Sequence, residues 1–86
     1  MQIAGRVALV TGAGRGIGRA LCREMRQRGA AGIVVVDLDG AMAEATAMEL
    51  GGLGLQCDVA DAGAVRGVVD AAGARYGRVD ILVSNA

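Results

Sequence analysis

The chain is 86 residues long, and its formal charge is zero because nine basic residues, all of them arginine, balance nine acidic residues. A neutral chain with no Trp, no Phe and one Tyr lacks the positive field and the stacking surfaces that nucleic acids need, and nothing draws it to an anionic membrane. Hydrophobic residues make up 53% of the chain, which favours a packed core over disorder. We therefore expect one globular domain without nucleic-acid or membrane partners.

The cysteines and the apolar runs predict the cellular location. Cys22 and Cys57 stand 35 positions apart without any paired-cysteine or histidine spacing, so we expect no metal site. The apolar run at the start is too short for a signal core, and no stretch approaches the roughly 18 apolar residues of a membrane span. These features predict a cytoplasmic chain whose two thiols are reduced and pack as small apolar side chains.

Four short apolar runs predict four β-strands, at positions 6–10, 32–37, 53–59 and 80–86. The runs around Val34 and Ile81 are continuous rather than alternating, as expected of strands covered on both faces in a parallel sheet. The segments between the runs predict three helices. Such an alternation of strands and helices predicts right-handed βαβ units and the α/β class.

The helix ends carry recognisable start and stop residues. The first helix begins near Gly16 and stops near Gly29, the second follows Asp39 as a candidate N-cap, and the third runs from Asp61, also a candidate N-cap, to Gly77. Apolar side chains at helical spacing are Ile17, Leu21 and Met25 in the first helix and Val65, Val68, Val69, Ala72 and Tyr76 in the third.

The segment TGAGRGIG, residues 11–18, joins the first strand to the first helix and has glycine at every second position. Each glycine in a helix or strand lowers stability by about 0.5–1 kcal/mol relative to alanine. A backbone without side chains must therefore serve another purpose here. Unpaired N–H groups and partial positive charge at a helix N-terminus bind anions, and glycine lets a diphosphate approach closely. An ordinary tight turn is the alternative. A triphosphatase loop is excluded because the chain has no Lys, and G-x-G-x-x-G fails because its third glycine falls on Ile17 or Arg19.

Thr11, Gly12, Gly16, Ile17 and Gly18 spell TGxxxGIG, which resembles the pattern that members of the short-chain dehydrogenase/reductase family carry after their first strand. Three further features match that family: the aspartate closing the second strand, CDV at 57–59 and SNA at 84–86. The resemblance spans the whole chain, which corresponds to the first third or so of a typical member. It implies residues 1–86 as a single, incomplete NAD-binding domain, the N-terminal portion of a doubly wound Rossmann fold with strand order 3-2-1-4 and three helices.

Individual site residues follow from spacing and from the resemblance. Asp37 lies 19 positions after Gly18, near the distance at which an acidic side chain reaches the adenosine ribose, although a solvated strand end is the alternative. The resemblance assigns Asp58 to the adenine edge, while a helix cap is its other reading, and it implies that Asn85 braces the sheet beside the cofactor. Ser84 replaces the first asparagine of the family's NNAG segment. The expected cofactor-binding residues are Thr11, Gly12, Arg15, Gly16, Ile17, Gly18, Asp37, Leu38, Asp58, Val59, Asn85 and Ala86.

Two residues give opposite indications about the cofactor. In the family, a basic residue before the second motif glycine, here Arg15, often accompanies NADP, whereas an acid at the end of the second strand, here Asp37, accompanies NAD. A 2′-phosphate about 4 Å from that carboxylate would be repelled by roughly 4 kcal/mol per unit charge, whereas an exposed arginine returns only about 0–1 kcal/mol. We expect NAD, with NADP less favoured; Arg15 is either a surface charge or a phosphate contact.

The family's catalytic serine and tyrosine–lysine pair lie beyond the fourth strand. The chain has no Lys or His, and Tyr76 is followed four positions later by Asp80, so we predict that Tyr76 packs and that the chain holds no catalytic residue. An alcohol or ketone substrate is then expected only for a completed oxidoreductase. The alternative is a non-enzymatic nucleotide-binding or interaction fragment, a truncated product that assembles with another chain. The apolar fourth strand also predicts self-association of the isolated chain. A flavin or adenosyl-methionine site would not use TGxxxGIG with Asp58.

Overall fold

Strands and helices alternate along the computed structural model, which describes residues 2–85. Its elements are β1 (Val7–Thr11), α1 (Gly16–Gln27), β2 (Gly32–Asp37), α2 (Gly40–Leu50), β3 (Leu53–Gln56), α3 (Ala62–Tyr76) and β4 (Ile81–Val83).

The four strands form one parallel sheet in the order β3-β2-β1-β4. Thr11 at the end of β1 lies beside Val36, and Asp37 at the end of β2 lies beside Gln56 of β3. The carboxyl ends of the strands therefore meet at one edge of the sheet, where the connecting loops converge. This topology confirms the predicted α/β class and the Rossmann-type strand order.

The sheet is covered on both faces, which explains the continuous apolar runs. Ile33 and Val35 of β2 face α1 and α2, and Val34 and Val36 face α3, so every side chain of this strand is buried. Small residues bring the layers close. A Cβ at Gly32 would lie 2.6 Å from the ring of Tyr76 in α3.

Two strands end earlier than predicted. β3 ends at Gln56 rather than at 59: the Cys57 N–H still donates to the Asp37 carbonyl (3.0 Å), and the chain then enters a turn in which the Asp58 carboxylate accepts the Ala60 N–H (2.9 Å). β4 ends at Val83 rather than at 86, and beyond it the Asn85 N–H donates to Thr11 Oγ1 at the end of β1 (3.1 Å). β1 is shifted by one residue, to 7–11.

The predicted apolar face of α1 is wrong at one position. Gly18, Cys22 and Met25 are buried, whereas Ile17 is 80% exposed. Gly18 packs against the backbone of Gly12 and Ala13, and successive helical residues are about 100° apart, so the side chain of Ile17 points in another direction.

In α3, Val68 and Ala72 are buried and Tyr76 packs against the core, which confirms its packing role. Val65 and Val69 are exposed instead. Among residues 2–85, no helix combines the length and the apolar character needed to cross a membrane.

Candidate functional site

A cleft of about 400 Å³ lies at the carboxyl edge of the sheet. It is bordered by the glycine segment and by the residues that follow β2, β3 and β4. Its lining residues are Thr11, Gly12, Arg15, Asp37, Leu38, Cys57, Asp58, Val59 and Asn85. All of them except Cys57 belong to the set expected from the sequence.

The N-terminus of α1 opens without a cap, unlike those of the other two helices. Asp39 accepts the Met42 N–H at the start of α2, and Asp61 accepts two N–H groups at the start of α3, as predicted for both. At α1 the N-cap residue is Arg15, in extended conformation; its side chain makes no cap hydrogen bond, and the first turn contains no acidic residue. The unpaired N–H groups and the positive end of the helix dipole are therefore available to an anion.

Two glycines of the motif are required for different reasons. Gly16 has φ +61, and a Cβ added to it would meet no atom within 4 Å, so its backbone conformation alone favours glycine. Gly18 has no positive φ, but a Cβ there would overlap the Gly12 carbonyl. Gly16 therefore sets the direction of the chain, and Gly18 lets the helix pack directly against the loop.

Asn85 ties the end of β4 to the glycine segment. Its Nδ2 donates to the Gly12 carbonyl (3.1 Å), and its backbone N–H donates to Thr11 Oγ1 (3.1 Å). Gly12, at φ +61, has no room for a side chain because a Cβ would overlap the Asn85 carbonyl. Asn85 thus braces the loop against the sheet. Ala86 lies outside the described residues, so its predicted role stays a prediction.

Asp37 is buried and is held by two backbone groups. Its Oδ2 accepts the Gly14 N–H (2.9 Å), and its Oδ1 accepts the Asp39 N–H (2.9 Å). With 8% exposure it is not a solvated strand end. A carboxylate has about four acceptor positions, so two remain for hydroxyl donors in the cleft.

Sequence reasoning gave no role to Gly14 or Thr46. A Cβ at Gly14 would lie 2.8 Å from Met42 Cβ and 3.0 Å from Asp37 Oδ2, so this glycine is needed for space. Thr46 of α2 is buried, and its Oγ1 donates to the Gly14 carbonyl (3.2 Å). A hydroxyl on a helix face between Ala43 and Ala47 was the available signal, because buried polar groups require partners.

The rim of the cleft is apolar on two sides. Leu38 is 66% exposed and Val59 is 52% exposed, although both are large hydrophobic residues. Asp58 lies next to Val59 and makes a turn with Ala60, so the helix-cap alternative for Asp58 is wrong and Asp61 fills that role. Arg15 is exposed and also borders the cleft.

Both cysteines are buried in apolar surroundings, as predicted. Burial raises the pKa of the Cys22 thiol to about 11, which leaves it protonated and unreactive at neutral pH. Within residues 2–85, no cluster of three or more His, Cys, Asp or Glu side chains is placed to hold a metal ion.

The parallel sheet, the uncapped first helix and the carboxylate at the end of β2 define a Rossmann-type nucleotide-binding fold. A family model described as short chain dehydrogenase matches residues 6–86. The chain belongs to the short chain dehydrogenase family, whose members are oxidoreductases.

Relatives and solved structures agree with this family. The chain is 48% identical to D-threitol dehydrogenase of Mycolicibacterium smegmatis, over 99% of this chain and 34% of that protein. It is 41% identical to the 3-oxoacyl-[acyl-carrier-protein] reductase of Escherichia coli, over 100% of this chain and 36% of that protein. The chain thus spans about a third of the length of the curated relatives it matches.

Two similar structures contain a nicotinamide cofactor. The Brucella melitensis 3-ketoacyl-(acyl-carrier-protein) reductase complexed with NADH has a TM-score of 0.89 and 40% identity, over 93% of this chain and 34% of that chain. A short chain dehydrogenase/reductase from Burkholderia phymatum in complex with NAD has a TM-score of 0.90 and 31% identity, over 95% of this chain and 31% of that chain.

Proposed function

We propose that this chain is the NAD-binding part of an oxidoreductase that interconverts an alcohol and a ketone. The observation that carries the proposal is the opening of the uncapped α1 N-terminus beside the buried Asp37 carboxylate at one cleft. The helix N-terminus suits a diphosphate, and the carboxylate suits the two hydroxyls of a ribose. A dinucleotide contains both of these groups. The NAD and NADH complexes of similar proteins support this choice of ligand.

In this proposal each part of the cleft binds one part of the cofactor. The N–H groups of residues 16–18 bind the pyrophosphate, and the free acceptor positions of Asp37 bind the ribose hydroxyls. The adenine lies between the exposed side chains of Leu38 and Val59, with Asp58 at its edge. The remaining contacts come from Thr11, Gly12, Arg15, Asn85 and Ala86.

The proposed preference is for NAD over NADP. Asp37 has no cationic side chain bonded to it among the described residues, so a 2′-phosphate would meet an unneutralised carboxylate. At about 4 Å this repulsion is roughly 4 kcal/mol per unit charge at an effective dielectric constant near 20. Arg15 is exposed and its attraction is screened by solvent, so it returns about 0–1 kcal/mol.

The residues of this chain bind and orient the cofactor but do not move the substrate's proton. A bound nicotinamide would supply hydride transfer. Tyr76 packs over Gly32, near the start of β2 and away from the cleft, and the chain has no Lys to pair with it. The alcohol or ketone chemistry, and the treatment of residues 1–86 as an incomplete cofactor-binding domain in the cytoplasm, are part of the proposal.

A calorimetric titration with NAD and NADP tests the proposal. We expect NAD to bind at least about tenfold more tightly than NADP. Gly16→Ala forces an alanine into φ +61 and should weaken both cofactors equally. Gly77→Ala is the matched control, because Gly77 also has positive φ (+81) and open space but ends α3 at the opposite edge. Equal effects of the two variants on binding, or no binding of either cofactor, would contradict the proposal.

An interaction fragment is the second candidate. A second groove of about 210 Å³, between α3 and β4, adjoins the cleft and shares Thr11, Cys57 and Val59 with it. It is lined mainly by apolar side chains, including Val65, Val69 and Leu82, all of which are exposed. Such a surface supports self-association. Sedimentation velocity over a range of concentrations tests it, with Leu82→Ser as the variant expected to restore a monomer. A wild-type chain that stays monomeric throughout would remove this candidate.

A further inference from the structure

The two buried polar side chains of the described chain bind the N–H and the carbonyl of one residue, Gly14. They are Asp37, 8% exposed, and Thr46, 1% exposed. Asp37 Oδ2 accepts the Gly14 N–H at 2.9 Å, and Thr46 Oγ1 donates to the Gly14 carbonyl at 3.2 Å. One residue ends β2 and the other lies in the middle of α2, so the glycine loop is held from two elements at once.

The Thr46 hydroxyl makes an unusual choice of partner. A threonine within a helix ordinarily donates to a carbonyl of its own preceding turn. Here the hydroxyl reaches across 32 positions of sequence to Gly14 instead. The neighbouring helix residues on this face are Ala43 and Ala47, which are buried and have no polar side-chain atom. Within the described residues, the bond to the Gly14 carbonyl is the one that the Thr46 hydroxyl makes.

Gly14 cannot turn freely between these two partners. A Cβ placed on it would lie 2.8 Å from Met42 Cβ and 3.0 Å from Asp37 Oδ2, so α2 and the carboxylate enclose it. The carbonyl and the N–H belong to the two peptide groups that meet at the Gly14 Cα, so a movement of this enclosed residue that releases Thr46 also moves the N–H that orients Asp37. The orientation of the Asp37 carboxylate is thereby coupled to a hydroxyl that does not reach the cleft.

We propose that Thr46 is a positioning residue for dinucleotide selectivity: by holding the Gly14 carbonyl it fixes the position of Gly14, and the N–H of this residue aims the Asp37 carboxylate at the ribose. The inference rests on the proposed function, because it assigns Asp37 to the ribose. Without the Thr46 hydroxyl the buried Gly14 carbonyl loses its partner, and the loop relaxes to find another. The carboxylate then keeps the Asp39 N–H on Oδ1 but loses the fixed Gly14 N–H on Oδ2, and the distinction between a 2′-hydroxyl and a 2′-phosphate is reduced.

Three variants separate positioning from general stability. Thr46→Val keeps the shape and removes the hydroxyl, whereas Thr46→Ser keeps the hydroxyl and removes the methyl group. Ile33→Val is the control, because it removes a methylene from the buried cluster beneath α1 and α2, and Ile33 lies near the start of β2, at the end of the strand away from Asp37. Dissociation constants for NAD and NADP are measured by calorimetry, and stability by urea unfolding.

We expect Thr46→Val to raise the NAD dissociation constant about fivefold to tenfold while changing that of NADP less, so that the NAD/NADP preference falls. Thr46→Ser should keep the wild-type preference. Ile33→Val should lower the urea midpoint and leave the preference unchanged. A Thr46→Val chain with the wild-type preference would overturn the inference, and so would a preference that falls equally in Ile33→Val.

Amide hydrogen exchange at Gly14 in the ligand-free chain tests directly whether the Thr46 hydroxyl holds this residue in place. Thr46→Val should exchange this amide about tenfold faster than wild type, while Thr46→Ser and Ile33→Val should not. Unchanged exchange in Thr46→Val overturns the inference. A wild-type chain that binds neither cofactor overturns the proposed function together with this role of Thr46, whereas normal NAD binding with unaltered selectivity in Thr46→Val overturns the inference alone.

Discussion

Asp37 and Asp80 lie at opposite edges of the sheet, and each accepts a backbone N–H from a neighbouring segment. At the amino edge, Asp80 Oδ2 accepts the Val7 N–H (2.8 Å) and is also paired with Arg78 (2.9 Å). The Val7 N–H and this arginine hold the pKa of Asp80 below its usual range. At the carboxyl edge, Asp37 receives two backbone N–H groups and no described cation.

The difference shows how one fold separates stability from binding. The amino edge closes its own hydrogen bonds: Arg78 also donates to the Gly5 carbonyl (2.7 Å), and the Gly5 N–H donates to Gly29 (2.9 Å). The carboxyl edge keeps an uncapped helix and an unneutralised carboxylate beside a cleft. A region whose polar groups are satisfied internally supports folding, whereas one with free donors and acceptors is suited to a ligand.

Among the variants considered, Gly18→Ala should have the largest effect on stability and on NAD binding, because it disrupts the carboxyl edge. Its Cβ would overlap the Gly12 carbonyl and lie 2.8 Å from Asn85 Nδ2, so the helix must move off the loop. We expect a loss of about 3 kcal/mol in the free energy of unfolding and no measurable NAD binding. Urea unfolding and calorimetry measure both.

Gly67→Ala is the control for that variant. Gly67 also lies in a helix, α3, but has no neighbour within 4 Å of an added Cβ. We expect it to gain about 0.5–1 kcal/mol from helix propensity. Similar stabilities for the two alanine variants would mean that the contact between α1 and the loop is not as tight as described.

Asp37→Ala and Asp80→Ala compare the two carboxylates directly. Asp37→Ala leaves the buried Gly14 N–H without a partner, so we expect it to lose about 2 kcal/mol of stability and to narrow the NAD/NADP preference. Asp80→Ala should reduce stability and leave the preference intact, because its partners Val7 and Arg78 lie away from the cleft. An altered preference in Asp80→Ala would contradict this separation of the edges.

The ion pairs of Glu49 should contribute least to stability, and they lie at neither edge of the sheet. It joins α2 to α1 through Arg23 (2.6 Å) and Arg19 (3.0 Å), and these arginines lower the pKa of Glu49 to about 2. Since its pKa is lower in the folded chain, its stabilisation is present above its ordinary pKa and is lost as the pH falls from about 4.5 towards 2.

Acid unfolding of wild type and Glu49→Gln measures this contribution. The variant should lose less stability than wild type between those pH values, and added salt should reduce the difference because the pair is exposed. NAD binding at neutral pH should be the same in both. A variant with the same acid profile as wild type would show that the ion pairs contribute nothing to folding.

Much of the fold could be predicted because it depends on close neighbours in sequence. The caps at Asp39 and Asp61 and the stop at Gly77 each involve groups within about four residues, and all three are present. The ends of β3 and β4 were predicted too far along, because the sequence does not mark where sheet pairing stops: residues 57–59 and 84–85 follow the last residues of these strands. Ile17 was assigned to the apolar face of α1 but is exposed, because the periodicity of a helix does not show which of its turns pack against the sheet.

The sequence by itself determined the class of the fold, the strand order through its family motif, and the glycine segment as the phosphate-binding candidate. Only the tertiary structure decided that Gly14 is held between Asp37 and Thr46 and that Asn85 braces Gly12. These contacts join residues that are 23, 32 and 73 positions apart. Local patterns arise from neighbours within a turn or a strand, whereas the pairing of buried polar groups is set by the packing of whole elements.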